Sequence, residues 1–298
     1  MHCNNKSPNN MKTQYVTSCS TAGLHRLAYT DWGDIENPDI LICSHGLTRN
    51  KHDFDILAKK LSLQRRVICF DLPGRGESSW LNNKLAYDYN QYTIDALMII
   101  ARTGANKVSW LGTSMGGLLG MALASLENSP IEQLILNDVG PFVPKSALLR
   151  IADYVGNPPC FDTSKELEHY IRTIYAGFGE LTNKQWRHIT HYGQHVLENG
   201  QLSLNYDPGI AQAFKSKPLE DIDLWPVWKN IQQRTLVIHG VNSDLLEPST
   251  AKKMIDTHAK STLLEIPNTG HSPALMNYAD INAIERWLDK AEPNSLIV

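Results

Sequence analysis

No stretch of this 298-residue chain approaches the roughly 18–20 consecutive apolar residues that a membrane-spanning helix needs. The first ten residues, Met1 to Asn10, are polar and lack the apolar run behind a basic start that marks a cleaved export signal. Cysteine is sparse. Cys3, Cys19, Cys43, Cys69 and Cys160 are scattered, odd in number and without C-x-x-C spacing, which argues against a disulfide framework or a structural metal. Lys/Arg clusters are also missing. The formal net charge is -3 with both signs mixed along the chain, so no basic stripe tracks a phosphate backbone and nucleic acid is not an expected partner. These absences predict a cytoplasmic protein with reduced thiols, no membrane span and no cofactor. They leave its oligomeric state open.

What is present fits a large single core. Hydrophobic residues make up 42% and charged residues 20%, the balance of a globular domain that buries a core, and the length suits one α/β domain with room for an insertion. Two strand-like stretches, Tyr15–Ser18 and His25–Tyr29, predict an antiparallel entry hairpin. Then come short continuous apolar runs: Ile40–Cys43, Val67–Phe70, Val108–Leu111, Leu134–Leu136, Thr235–Ile238 and Thr262–Ile266. Runs without alternation are what strands covered on both faces look like. Helical spacing fills the intervals at Phe54–Leu61, Tyr92–Ile100, Met115–Leu126 and Ile281–Leu288. Alternating strands and helices predict a mostly parallel sheet flanked by helices.

One interval breaks the rhythm. Between Pro141 and Ile231 no clear buried strand is found, and helix-like pieces occur at Ala147–Tyr154, Ser164–Ile174 and Gln185–Glu198. The expected organisation is a core over 12–140 and 232–292, with a mainly helical cap over 141–231 inserted after the strand ending near Asn137. The cap's aromatic content makes Trp186, Tyr192 and Phe214 candidate pocket residues. His188, His191 and His195 fall at i, i+3 and i+7 and could share one helix face, but no acidic or Cys partner stands at ligand spacing, so a pocket wall is favoured over a metal site.

Gly112-Thr113-Ser114-Met115-Gly116-Gly117 follows an apolar run and opens a helix. A serine on a strand-to-helix turn too tight for neighbouring Cβ atoms is presented at the carboxyl end of the sheet, and the helix N-terminus beyond it favours negative charge. Ser114 is therefore the candidate nucleophile. His271, in Asn268-Thr269-Gly270-His271-Ser272-Pro273 after the last apolar run, is the candidate base. Two acids compete for the third place. Asp244 follows the strand after the inserted segment and Asp138 the strand before it; both fit the chain order of serine, acid and histidine, and Asp244 is favoured because it follows the later strand in the usual layout, with Asp138 as the alternative. The N–H groups of Leu47, in His45-Gly46-Leu47, and of Met115 are candidate oxyanion donors, with His45 anchoring its turn. Asp71-Leu72-Pro73-Gly74-Arg75-Gly76-Glu77-Ser78 reads as a structural turn, since it lacks the third glycine and helix start of a dinucleotide fingerprint.

Taken together, His45-Gly46, Asp71-x-x-Gly74-x-Gly76-x-Ser78, Gly112-x-Ser114-x-Gly116-Gly117, Gly240-x-x-Ser243-Asp244 and Gly270-His271 resemble the α/β-hydrolase superfamily over about residues 13 to 290. Leu136-Asn137-Asp138-Val139-Gly140-Pro141 and Asp223-Leu224-Trp225-Pro226-Val227-Trp228 are similar to a bacterial subgroup of capped serine hydrolases or esterases. The resemblance implies an α/β-hydrolase fold and, with Ser at the nucleophile position, disfavours epoxide hydrolase and haloalkane dehalogenase activities, which use Asp there. His45-Gly46-Leu47-Thr48-Arg49 lacks the glycine-proline run of the superfamily's carbon–carbon hydrolases. The expected activity is hydrolysis of a small or medium carboxylic ester by water through an acyl-enzyme at Ser114. The alternatives are a carbon–carbon hydrolase or thioesterase with the same triad, or a non-catalytic small-molecule receptor on the same fold.

Overall fold

In a computed structural model, described for residues 12–212 and 218–289, the apolar runs pair into one eight-stranded sheet. In chain order its first strands are β1 (Gln14–Ser20), β2 (Gly23–Trp32), β3 (Ile40–Ser44), β4 (Arg66–Phe70), β5 (Val108–Thr113) and β6 (Ile131–Asn137). Four short strands follow: β7 (Phe142–Val143), β8 (Gln194–Val196), β9 (Leu202–Leu204) and β10 (Ile222–Asp223). The chain then returns to the main sheet with β11 (Arg234–Gly240) and β12 (Ser261–Ile266). The main sheet runs β1-β2-β4-β3-β5-β6-β11-β12. β1 and β2 form the antiparallel entry hairpin, β2 meets β4 antiparallel, and every pairing from β4 to β12 is parallel.

The apolar runs follow from coverage on both sides. In β3, Ile40 and Ile42 face one core while Leu41 and Cys43 face the other. Helices α2 (Tyr89–Thr103) and α3 (Met115–Ala124) pack on the first face. Helix α1 (Asp55–Leu61) and the last described helix (Tyr278–Asp289) pack on the second through Leu57, Leu61, Ile281, Ile284 and Trp287. Each such buried side chain stabilises the fold by about 1.5–3 kcal/mol. β12 is an exception, since as the edge strand it is only partly covered despite its apolar sequence.

Between β6 and β11 lie α4 (Lys145–Tyr154), α5 (Ser164–Ile174), α6 (Asn183–Gly193) and α7 (Trp225–Trp228). Capping boxes at Thr163/Glu166 and Thr182/Gln185 start α5 and α6, each cap worth about 1 kcal/mol. The segment also holds short strands of two or three residues, in two small sheets, β7 with β10 and β8 with β9. One expectation for its helices is corrected. The helix expected over Gln185–Glu198 ends at Gly193, because Gln194–Val196 pairs with Leu202–Leu204. His195 therefore stands on a strand against Trp80, away from His188 and His191 on α6, and the three do not share one face. After β11, α8 (Pro248–Thr257) and α9 (Tyr278–Asp289) complete the described fold. No helix among the described residues is long and apolar enough to cross a membrane.

The inserted segment is tied to α1 and to loops around the sheet by polar contacts. His188 Nε2 lies 2.9 Å from the His52 carbonyl and 3.3 Å from Asp55 Oδ2, which also faces His52 Nδ1 at 2.9 Å. Asn50 Nδ2 donates to the Tyr192 carbonyl, Gln185 Nε2 to the Met276 carbonyl, and Lys84 and Tyr87 both reach Asp207. Burial alone would lower the His188 pKa, but the hydrogen bonds to Asp55 and the His52 carbonyl outweigh it and raise the pKa. A raised pKa contributes stability fully below the unfolded value of about 6.5, and that contribution is lost as pH rises through the folded value. The difference in melting temperature between the wild-type chain and His188→Gln should therefore be largest near pH 6 and shrink towards pH 9. A difference that is constant across that range would show that the ionised His188 does not tie the segment down.

Candidate active site

Every candidate residue lies at the carboxyl ends of the parallel strands, beside the place where the strand order reverses around β3. That is where open α/β sheets hold ligands. Ser114 follows β5 by one residue, and its N–H donates to the Asn137 carbonyl of β6 at 3.0 Å. Its backbone sits at φ 51° and ψ -115°, a conformation that costs an L-residue about 1–3 kcal/mol. The turn closes only with glycine on both sides: a Cβ on Gly112 would fall on the Gly116 carbonyl, and one on Gly116 on the Ser44 carbonyl. Ser114 precedes α3 without capping it, so its hydroxyl is left for other partners.

That partner is His271, whose Nε2 lies 3.0 Å from Ser114 Oγ. On the other side of the ring, Nδ1 lies 2.8 Å from Asp138 Oδ2. A carboxylate oxygen accepts, so Nδ1 carries the hydrogen and Nε2 presents its lone pair to the serine. Asp138 is fully buried and accepts three further hydrogen bonds, from the Gly240 N–H at 2.9 Å, the Ser272 N–H at 3.1 Å and the Ser243 hydroxyl at 2.6 Å.

The preference for Asp244 as the acid is corrected here. Asp138 is one residue past the end of β6, which lies between β5 and β11, so its side chain enters the space beside Ser114. Asp244 lies four residues past the end of β11, and the turn aims Ser243 inward instead. The Asp244 carboxylate is half-exposed and bound side-on by Arg150, at 2.6 and 2.9 Å. Ser243 and Ser272 stand in motifs read from the sequence, where no role was assigned to either. Ser272, at φ 64°, also places its hydroxyl 3.0 Å from His271 Nε2, where it competes with Ser114 for the same lone pair.

Gly46 and Leu47 follow β3, and the Cβ position of Gly46 is 3.8 Å from the Ser114 Cβ. Met115 is the first residue of α3, so its N–H has no acceptor within the helix. The two N–H groups thus border Ser114, where they can stabilise a developing oxyanion. His45 anchors this turn. Nδ1 lies 2.7 Å from the Gly46 carbonyl and Nε2 accepts the Leu72 N–H at 3.0 Å. Burial pushes its pKa down to about 4, against the pull of Asp71, so it is neutral at pH 7. Arg75, read from sequence as part of a structural turn, has a second consequence. Fully buried, it donates Nε to the Leu47 carbonyl at 2.8 Å, reaches the Tyr92 hydroxyl at 2.8 Å and brings Nη2 within 3.9 Å of Met115 Sδ. These partners are neutral, so the guanidinium charge stands against the Leu47 carbonyl and the Met115 side chain, on the two residues whose N–H groups are the candidate oxyanion donors.

Two chambers meet at Ser114, Leu47 and Ile151. One, of about 330 Å³, is polar and is lined by His271, Arg49, Asp53, Arg150 and Asp244, with Tyr154, Tyr175 and Phe178 as its aromatic wall. The other, of about 310 Å³, is apolar, with Met115, Leu118, Val143, Leu148 and Ile222 among its walls. The aromatic candidates are corrected: Trp186 is buried beside Arg172 and Tyr192 stacks on His52, and neither borders a chamber. Phe214 lies outside the described residues. Among those residues, no group of three or more His, Cys, Asp or Glu could hold a metal ion.

A family profile described as alpha/beta hydrolase fold matches residues 39–278. The chain belongs to the α/β-hydrolase fold family. It is 42% identical over 278 residues to the 3-hydroxybutyrate-oligomer hydrolase of Cupriavidus necator, covering 90% of this chain and 94% of that protein. An alpha/beta hydrolase from Novosphingobium aromaticivorans superimposes with a TM-score of 0.83 at 32% identity, covering 94% of this chain and 99% of that one. The chain is accordingly a hydrolase of the α/β family.

The geometry makes the two acids separable. Asp138→Asn keeps the size but favours the wrong imidazole tautomer, and should slow fluorophosphonate labelling of Ser114 by about 10⁴-fold. Asp244→Asn should label within a few-fold of wild type, and Ser272 should carry no label in either. Labelling rates followed by peptide mass spectrometry check this. A crippled Asp244→Asn beside a normal Asp138→Asn would return the acid to the later strand.

Proposed function

We propose that this hydrolase cleaves short oligomers of a 3-hydroxy acid at their ester bonds, through an acyl-enzyme at Ser114. One observation carries the mechanism: His271 spans from Ser114 Oγ at 3.0 Å to Asp138 at 2.8 Å, with the serine on a strained turn at the mouth of two chambers. The substrate class is supported by the 42% identity to the Cupriavidus necator oligomer hydrolase. In this reading residues 141–231 are a cap over the core of 12–140 and 232–292, and the cap residues Ile151, Tyr154 and Tyr175 wall the chambers.

The steps follow from the atoms in place. Ser114 Oγ attacks the ester carbonyl carbon as its proton passes to His271 Nε2. Negative charge gathers on the carbonyl oxygen, where the Leu47 and Met115 N–H groups receive it; one such donor is worth about 10²–10³ in rate. The intermediate collapses, the carbon–oxygen bond to the leaving group breaks, and His271 returns the proton to the departing hydroxyl. Water then gives a proton to His271 and attacks the acyl-enzyme, releasing the acid and restoring Ser114. Asp138 holds the ring and stabilises its cationic form without taking the proton.

Ser114→Ala should lower hydrolysis of a 3-hydroxybutyrate dimer and of p-nitrophenyl butyrate by about 10⁴–10⁶-fold with the fold intact by circular dichroism. Retained turnover would end the serine mechanism. Arg75 acts on the oxyanion site through Leu47 and Met115 and is a positioning residue. Arg75→Met should reduce kcat by about 10–100-fold with little change in KM, and Arg75→Lys should recover part of the loss. A rise in KM at constant kcat would assign Arg75 to substrate binding.

A further inference from the structure

The polar chamber holds two guanidinium groups, and they are not equivalent. Arg49 is buried and locked, with Nε and Nη2 bound to both oxygens of Asp53 and its Cζ 4.8 Å from the centre of the Tyr175 ring. Arg150, on α4, is different. Its side chain is 44% exposed, its partner Asp244 is 53% exposed, and their bond joins two separate elements at the chamber wall. Exposed ion pairs of this kind are worth about 0–1 kcal/mol, so a second carboxylate can take the place of Asp244 at little cost. The guanidinium fork binds a carboxylate side-on through two parallel hydrogen bonds, the arrangement Asp244 now occupies.

The position of His271 decides which part of the substrate meets Arg150. The leaving oxygen must be next to the proton on His271 Nε2. His271 lines the polar chamber and is absent from the walls of the apolar one. The leaving group therefore departs into the chamber that contains Arg150, while the acyl part lies against Met115 and Leu118 in the apolar chamber. A leaving 3-hydroxy acid carries a free carboxylate only when it is the last unit of its chain.

We propose that Arg150 is the receptor for the terminal carboxylate of the substrate, that Asp244 is a built-in stand-in displaced on binding, and that the enzyme releases one hydroxy acid at a time from the carboxyl end. This rests on the ester-hydrolase reading above. It assigns Asp244, freed from the triad, the role of setting how strongly an acidic substrate is held.

The test compares a 3-hydroxybutyrate trimer as its free acid with the same trimer bearing a terminal carboxamide, which removes the charge and keeps the ester bonds. Wild type should prefer the free acid in kcat/KM by about 10–100-fold, the value of one charge-assisted bidentate pair once bound substrate keeps water from it, and the monomeric acid should be released in the acylation burst, ahead of the dimer. Arg150→Gln should reduce that preference at least tenfold, mainly through the KM of the free acid. Asp244→Asn should shift it the other way, with a lower KM for the free acid. A merely structural brace between α4 and the loop would behave otherwise, since losing either partner would affect both substrates in step. An unchanged preference in Arg150→Gln, or a shift in the same direction in both variants, overturns the proposal while ester turnover stands. If wild type hydrolyses neither trimer nor p-nitrophenyl butyrate, it is the ester-hydrolase reading that fails, and this inference falls with it.

Discussion

The carboxylate of Asp138 is the point on which the site depends. Burying a charge costs several kcal/mol unless its lone pairs are filled. Here four donors fill them: the Gly240 N–H and Ser243 hydroxyl from the end of β11 and its turn, and the Ser272 N–H and His271 ring from the loop after β12. One side chain thus joins the ends of three strands. Removing it would leave buried donors unpaired in two loops at once, so its role in holding the site together cannot be separated from its role in orienting the imidazole.

The same network explains where the backbone is strained. Ser114, Asp138 and Ser272 all have positive φ, at 51°, 55° and 64°. Each is an L-residue in a region that usually belongs to glycine, at about 1–3 kcal/mol apiece. Each also makes a hydrogen bond that fixes it: the Ser114 N–H to Asn137, the Asp138 N–H to Ile238, and the Ser272 N–H to Asp138. Strand register aligns these turns, since Thr113, Asn137 and Ile238 are paired across β5, β6 and β11. The strain is offset by the sheet, and the sheet's parallel order is what brings the turns together.

This also accounts for what could be read from the sequence. The main-sheet strands were legible because burial on both faces makes an apolar run, which is a local signal. The Ser114 turn was legible because its glycines are dictated by contacts within a few residues and by Ser44 across the strand. The choice of acid was not. Asp138 and Asp244 both follow a strand, and which of them faces His271 depends on β6 lying between β5 and β11, a neighbour relation that no local pattern encodes. A usable signal existed in the spacing: Asp138 is one residue past its strand, while Asp244 stands four past and is preceded by Ser243. The strands β7 to β10 span two or three residues each, too short to show a period, and Gln194–Val196 continued a helical spacing until Leu202–Leu204 paired with it. The aromatic content of the inserted segment marked its importance without showing which rings face inward; Tyr175 and Phe178 do, and Trp186 and Tyr192 face other contacts.

The two chambers give a reason for the division of labour among charged groups. Asp138 serves His271 from below, Arg75 supports the Leu47 and Met115 turns from behind, and Arg150 and Asp244 stand at the wall where a leaving acid would pass. All of it presupposes that the Asp138 carboxylate sets the His271 tautomer. Nitrogen-15 NMR of histidine-labelled protein at neutral pH measures that directly. The His271 ring should be protonated at Nδ1 with a free Nε2 lone pair in the wild type and in Asp244→Asn, and should lose that state in Asp138→Asn. Survival of the signature in Asp138→Asn, with its loss in Asp244→Asn, would contradict that role of Asp138.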